Sequence, residues 1–310
     1  MKQIIVKLIV AVLVSCTGIF LPGQALETIE QRTHAEVLGI NTVAPVKTEQ
    51  TGTQLKVAPE FAHSIGLPEI SAKSAIAYDL NSGALLYSKN YDEKVQVASL
   101  TKLMTALVAA EYLDYDKIVT VQSEDIRVVG TNMGLLPGEQ IRVLDLFKGL
   151  LISSSNDASK VLARVAAGSE EKFVALMNLK GAELGLLSTR FSNPVGLDSN
   201  DNYSTAHDLM KIVNEFIKNP VFNQIVQTKE LEVVALDKKT SHKIRTTNKL
   251  LLENPNVSGI KTGFTSLAKG NLVLKIKENS GEIISIVLGS DDREDDTQKL
   301  IDWVLDVYKW

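Results

Sequence analysis

One cysteine, four histidines, no long hydrophobic run and no excess of positive charge mark this sequence by what it lacks. Cys16 is the sole cysteine, which excludes an internal disulfide and a thiolate metal site. Stability must therefore come from core packing. No His-Glu-x-x-His helix, no P-loop and no Gly-x-Ser-x-Gly elbow occurs, so no metal or cofactor is expected. His34, His63, His207 and His242 are scattered, and His207 reads as a helix-start residue. A net charge of −4 over 310 residues leaves no basic footprint for nucleic acid.

What is present is an ordinary globular composition, 45% hydrophobic and 23% charged, behind an unusual first segment. Lys2 and Lys7 precede an apolar run from Leu8 to Leu21, followed by Pro22-Gly23-Gln24-Ala25. The run is shorter than the about 20 residues of a membrane-spanning helix, and Gly23 and Ala25 suit a cleavage site. Residues 1–25 therefore read as a signal peptide. Leu13-Val14-Ser15-Cys16 also resembles a lipoprotein box that would lipidate Cys16, and an uncleaved anchor is the third reading. Each of the three exports the chain, and attachment to a membrane would run through this segment. Residues 26–70 are rich in Glu, Gln, Thr, Lys and Pro with weak periodicity and read as a tether; residues 71–310 read as the folded domain.

Within that domain the hydrophobic period changes twice. Ala75–Asp79 and Ala84–Tyr87 flank Asn81-Ser82-Gly83, a hairpin signature. Helices are predicted over 144–151, 158–167, from Ser169, and from Thr205 to Ile217, the last stopping at Asn219-Pro220. A period of two then returns at 231–236, 243–247 and 257–262, and in a hairpin around Asn279-Ser280-Gly281. A closing amphipathic helix begins near Asp295, and the acids from Asp291 to Asp296 read as its solvated N-terminus. The order predicts an α+β fold: an antiparallel sheet of early and late strands, flanked by helices, with a mostly helical region inserted.

The chemistry gathers at Ser99. Leu100, Leu103, Met104, Leu107 and Val108 form a helical apolar stripe, while the Ser99/Lys102 side continues into Thr105, Ala106 and Ala109. A helix apolar or small nearly all round is buried, and residues three apart are neighbours on it. Lys102 can thus reach the Ser99 hydroxyl, and burial lowers its pKa toward a neutral amine that takes the proton. Ser-x-x-Lys recurs at Ser169, which reads as a helix cap, and at Ser266, which reads as a loop.

Ser154-Ser155-Asn156, in a turn between helices, and Lys261-Thr262-Gly263, at a strand end, complete the pattern. Together with Ser99/Lys102 they form the ordered motif set of penicillin-binding proteins and class A β-lactamases. Gly134–Glu139, Phe191–Asp198, Tyr203–Ala206 and Lys261–Thr265 further resemble the low-molecular-weight D-alanyl-D-alanine carboxypeptidases, over roughly Ser71 to Gly289. The resemblance implies the β-lactamase/transpeptidase-like fold and an acyl-enzyme on Ser99, with peptidoglycan stem peptides as substrates and β-lactams as covalent inhibitors. Lys102 is then the base, and Ser154 relays a proton to the leaving amine. Asn156 hydrogen-bonds Lys102 and the substrate amide. Lys261 and the Thr262 hydroxyl hold the terminal carboxylate, since no Arg is near Gly263 in sequence. Gly263 lets substrate backbone lie along the strand, and the resemblance puts the oxyanion hole at the N–H groups of Ser99 and Phe264.

Three related activities compete with carboxypeptidase. A class A β-lactamase would need a Glu-x-x-Leu-Asn between Asn156 and Lys261, which is absent. A D,D-endopeptidase could use the same site on a longer leaving group. A non-turnover β-lactam sensor would need a signalling membrane segment. The family's longer members add a C-terminal β-rich domain and an amphipathic membrane helix, whereas this sequence stops about 20 residues after its last strand. The reading therefore leaves membrane attachment open, with the N-terminal segment as one route.

Overall fold

The computed structural model describes residues 57–278 and 281–310. The expected signal peptide, Cys16, most of the expected tether, and Asn279 and Ser280 lie outside the described residues. Chain order gives β1 (Glu60–Phe61), β2 (Ser74–Asp79) and β3 (Leu85–Lys89), then a 3₁₀ turn at Ala98–Leu100 that runs into α1 (Thr101–Tyr112). The insert follows: β4 (Ile118–Thr120), β5 (Gln140–Arg142), α2 (Val143–Ile152), α3 (Asn156–Ala167), α4 (Glu170–Glu183), α5 (Ala206–Phe216) and α6 (Pro220–Val226). The chain closes with β6 (Glu230–Val234), β7 (Ser241–Arg245), α7 (Lys249–Glu253), β8 (Val257–Thr265), β9 (Lys269–Glu278), β10 (Gly281–Ser290), α8 (Arg293–Val307) and β11 (Tyr308–Lys309).

Early and late strands share one antiparallel sheet in the order β3-β2-β10-β9-β8. Its centre is buried on both faces because side chains alternate along each strand. Ile284, Ile286 and Leu288 of β10 face the core shared with the helical insert. Ile283 and Val287 face a second core, closed by Leu300, Ile301 and Val304 of α8. β8 is an edge strand of this sheet, and the Ala98–Leu100 turn lies against it.

Several local signals act as the sequence predicts. Ser169 and Thr205 cap α4 and α5 by accepting the Lys172 and Asp208 N–H groups. Asp79 accepts from the Ser82 N–H and hydroxyl and so shapes the β2–β3 turn. Asn219-Pro220 differs. It ends one helix but also starts α6, with Asn219 as cap and Pro220 in the first turn, where its missing N–H has no intrahelical role. β5 and α7 are too short to produce a readable period.

The N-terminal side of the domain is anchored further upstream than residue 71. β1 pairs with β11, so part of the expected lead-in lies on the C-terminal element. Within the acidic cluster, Asp292 caps α8, but Asp296 is buried rather than solvated. Its carboxylate accepts from the Ser71 N–H (2.9 Å), the Ser71 hydroxyl (2.7 Å), the Ala72 N–H (2.9 Å) and the Ser290 hydroxyl.

Burial alone would raise the Asp296 pKa, but the bonds from Ser290, Ser71 and Ala72 outweigh it and hold the group below its ordinary value. A carboxylate depressed on folding stabilises the fold above its unfolded pKa and loses that contribution as pH falls through the folded value. Asp296→Ala should therefore destabilise the chain by about 3 kcal/mol at neutral pH, since buried donors lose their acceptor. Urea unfolding should show the gap between wild type and variant narrowing below about pH 4.

Candidate active site

α1 is buried on every side from Thr101 to Ala109, which is why Lys102 has no exposed surface. Ser99 sits one turn earlier, in the 3₁₀ segment, and Lys102 Nζ donates to its Oγ at 3.0 Å. The same Nζ donates to the Val195 carbonyl at 2.6 Å. Burial lowers the Lys102 pKa from 10.5 to about 7, against a smaller opposing pull from Asp157.

The Val195 carbonyl is held by a loop whose construction is visible residue by residue. Asn193 Oδ1 accepts from the N–H groups of Val195, Gly196 and Leu197 at 3.2, 2.7 and 3.1 Å. The Pro194 carbonyl accepts from Thr105 and Ser159 at 2.6 and 2.7 Å. Gly196 has φ +85°, and a Cβ there would stand 2.0 Å from the Ala98 carbonyl oxygen. Only glycine lets this loop close onto the back of the Ser99 turn.

Ser154 sits in the middle of the link between α2 and α3 in a left-handed conformation, φ 62°. That bend, unusual for a residue with a Cβ, points its hydroxyl at Lys261, whose Nζ donates to Ser154 Oγ at 2.7 Å and to the Thr262 carbonyl at 2.9 Å. Burial and the nearby Lys102 and Arg293 cations push the Lys261 pKa well down. On β8, a Cβ added at Gly263 would meet the Val97 oxygen at 2.9 Å and the Ser99 nitrogen at 3.0 Å. The strand thus runs directly beside the Ser99 N–H, with Phe264 next in line and its side chain 66% exposed.

Ser99, Lys102, Ser154, Lys261, Thr262 and Gly263 are therefore brought together, and the Phe264 backbone follows at the edge. One expected contact is absent: Asn156 does not bond Lys102, and its Nδ2 donates instead to the Val129 carbonyl at 2.6 Å. Lys261 is buried, with its Nζ on Ser154. An Arg does lie near Gly263 in space: Arg293, from the start of α8, donates from Nη1 to the Gly263 carbonyl at 3.0 Å. Sequence distance hid it. The Thr262 hydroxyl is bonded to that of Thr247, another residue that the motif reading missed.

This arrangement is a nucleophile with a desolvated amine as base, and a second hydroxyl with its own buried amine, beside an open strand edge. The family profile described as D-alanyl-D-alanine carboxypeptidase matches residues 61–292. The chain belongs to that family. It is 36% identical over 264 residues to the D-alanyl-D-alanine carboxypeptidase DacF of Bacillus subtilis, covering 82% of this chain and 65% of that one. Against DacC of Escherichia coli the identity is 38% over 258 residues, covering 77% and 62%. The chain thus spans a little under two thirds of the length of these relatives. Among solved structures it resembles the Streptomyces K15 DD-transpeptidase, with TM-score 0.74 and 29% identity over 78% of this chain and all of that one. The family's fold is the penicillin-binding, transpeptidase-type α+β architecture expected from the order of elements.

The lowered lysine can be read directly. With ¹³Cε-labelled lysine, one resonance should titrate with a midpoint near pH 7, far below the surface lysines, and should vanish in Lys102→Arg. If every lysine titrated near 10.5, the desolvated base would be absent.

Proposed function

We propose that this chain is an exported serine D,D-carboxypeptidase that removes the terminal D-Ala from peptidoglycan stem peptides. The observation that carries this reading is Lys102 Nζ at 3.0 Å from Ser99 Oγ in full burial. Neutral Lys102 takes the hydroxyl proton as Ser99 Oγ bonds to the carbonyl carbon of the D-Ala-D-Ala amide. The carbonyl oxygen becomes an oxyanion beside the Ser99 N–H and the Gly263–Phe264 backbone, where such donors contribute roughly 3 kcal/mol each. The C–N bond breaks, and Ser154, backed by Lys261, hands its proton to the leaving D-Ala amine. The proton held by Lys102 makes good the one lost by Ser154, leaving Lys102 neutral again. Water then attacks the ester carbonyl, and Lys102 takes its proton and hands it to Ser99 Oγ as the C–O bond breaks. The shortened peptide leaves with a new carboxyl group.

Substrate backbone would lie along the edge of β8 as an added strand. Its terminal carboxylate would meet a cation in Arg293, whose guanidinium donates to the Gly263 carbonyl from Nη1 and to Glu294 from Nε at 2.9 Å. β-Lactams, acylating the same hydroxyl, would act as covalent inhibitors. Export is supported by the signal-like segment 1–25 and by the extracytoplasmic position of peptidoglycan, and that segment also gives a means of membrane attachment. Among the described residues no helix is long and apolar enough to cross a membrane.

The deciding experiment is digestion of purified muropeptides followed by product masses. Loss of one alanine from pentapeptide monomers supports the proposal. Resolution of cross-linked dimers would make the chain an endopeptidase, and stoichiometric penicillin labelling without any product would make it a sensor. Lys102→Arg keeps a charge that cannot be shed, and should slow acylation of Ser99 by orders of magnitude while the fold persists.

Arg293→Gln tests carboxylate recognition. Charge-assisted bonds contribute about 1.5–3 kcal/mol, so kcat/KM should fall roughly ten- to hundred-and-fifty-fold on peptides with a free carboxylate. On the ester of the same peptide the loss should be much smaller. Equal losses on acid and ester would remove Arg293 from that role.

A further inference from the structure

Away from the reacting groups, a buried acid–imidazole pair stands between the two walls of the cleft. Glu139 Oε1 accepts from His242 Nε2 at 2.7 Å, with the two side chains only 3% and 4% exposed. Its other oxygen accepts from the Leu136 N–H at 2.9 Å. Both side-chain oxygens of Glu139 are thus engaged.

Each partner belongs to a different wall. Glu139 closes the base of the segment 121–139, where the Gly138 N–H donates to Val121 O and the Val121 N–H to Glu139 O, both at 2.9 Å. The middle of that segment grips the start of α3. The Thr131 carbonyl accepts from the Asn156 N–H at 2.7 Å, and the Val129 carbonyl from the Asn156 side chain. The N–H groups of Met133, Gly134 and Leu135 donate to Asp157 at 3.1, 3.0 and 3.1 Å. Ser154 lies two residues before the clasped Asn156. His242, for its part, sits on β7, and the chain from β7 leads to Thr247, which bonds Thr262 on β8. One backbone bond, Leu236 N–H to Gln140 O at 3.1 Å, supports the same junction.

The contact that must span these walls is Lys261 Nζ to Ser154 Oγ. Its length depends on how far the segment carrying Ser154 stands from the strand carrying Lys261. We propose that the Glu139–His242 pair is a positioning clamp that fixes this spacing and so sets the rate of acylation at Ser99. The proposal rests on the acyl-enzyme reading above. Neither residue touches the reacting atoms; both act through Ser154 and Lys261. A misplacement on the order of 1 Å at a catalytic group can slow a reaction about a hundredfold, so a remote clamp has leverage.

The test compares His242→Leu, which fills the space without a donor, with His242→Gln, whose amide can still donate to Glu139. Stopped-flow acylation by a fluorescent penicillin separates the bond-forming rate constant from the preceding binding constant, and hydrogen exchange reports residues 129–136. In His242→Leu the bond-forming step should slow on the order of tenfold or more, while binding changes less than about threefold. Exchange should quicken at 133–136 and stay unchanged in β9 and β10. His242→Gln should restore the rate and the protection together. An unaltered acylation step in His242→Leu overturns the clamp, as does equal slowing in both variants. Should His242→Leu not fold, Glu139→Leu, which removes the acceptor, carries the same two readouts, and normal acylation in it is equally decisive against the clamp. Absence of acylation in the wild type would instead refute the acyl-enzyme reading, with exchange at 133–136 still judging the clamp.

Discussion

The site depends on an amine kept out of water. Lys102 ends in a place where its charge has only two oxygen partners, the Ser99 hydroxyl and the Val195 carbonyl. Burial favours the neutral form and Asp157 the charged one; burial wins, and the midpoint falls to about 7. The Asp157 carboxylate, held by the N–H groups of Met133, Gly134 and Leu135, opposes that shift without reversing it. The apolar helix, the 193–197 loop and the amides of 133–135 therefore serve one electrostatic balance.

A second buried amine makes that balance collective. Lys261 is held down by burial and by the fields of Lys102 and Arg293, so protonating one amine makes protonation of the other harder. The two amines are thus suited to passing a proton between them through Ser99, substrate and Ser154, with little change in total charge. Arg293 stays cationic throughout, because a guanidinium does not titrate in this range. In the proposed reading, proton movement and anion recognition therefore fall to different groups.

Sequence made legible what local periodicity and local capping decide. The buried character of α1 follows from its composition, and the sheet of early and late strands follows from the order of elements. Ser169 and Thr205 behave as caps because a cap is a three-residue event. What stayed hidden depends on long-range approach. Arg293 meets Gly263 across 30 positions, and Asp296 meets Ser71 across 225. Thr247 and His242 carry no pattern of their own, Glu139 only closes the Gly134–Glu139 stretch, and the folded chain alone pairs them. Asn156 had the opposite fault. Its motif suggested a lysine partner, but backbone carbonyls of the 129–131 segment take it first.

The edge position of β8 links the fold to the chemistry. An unpaired edge normally invites other strands and is covered or blunted. Here the Ala98–Leu100 turn lies against β8, and Gly263 lets the two backbones approach closely enough to flank the Ser99 N–H. The outer edge of β8 is left for the extended peptide of the proposed reading, and the exposed Phe264 lies at that edge. On that reading, Ser99 beside the edge and Lys102 one helical turn inside give the peptide access while the amine stays out of water.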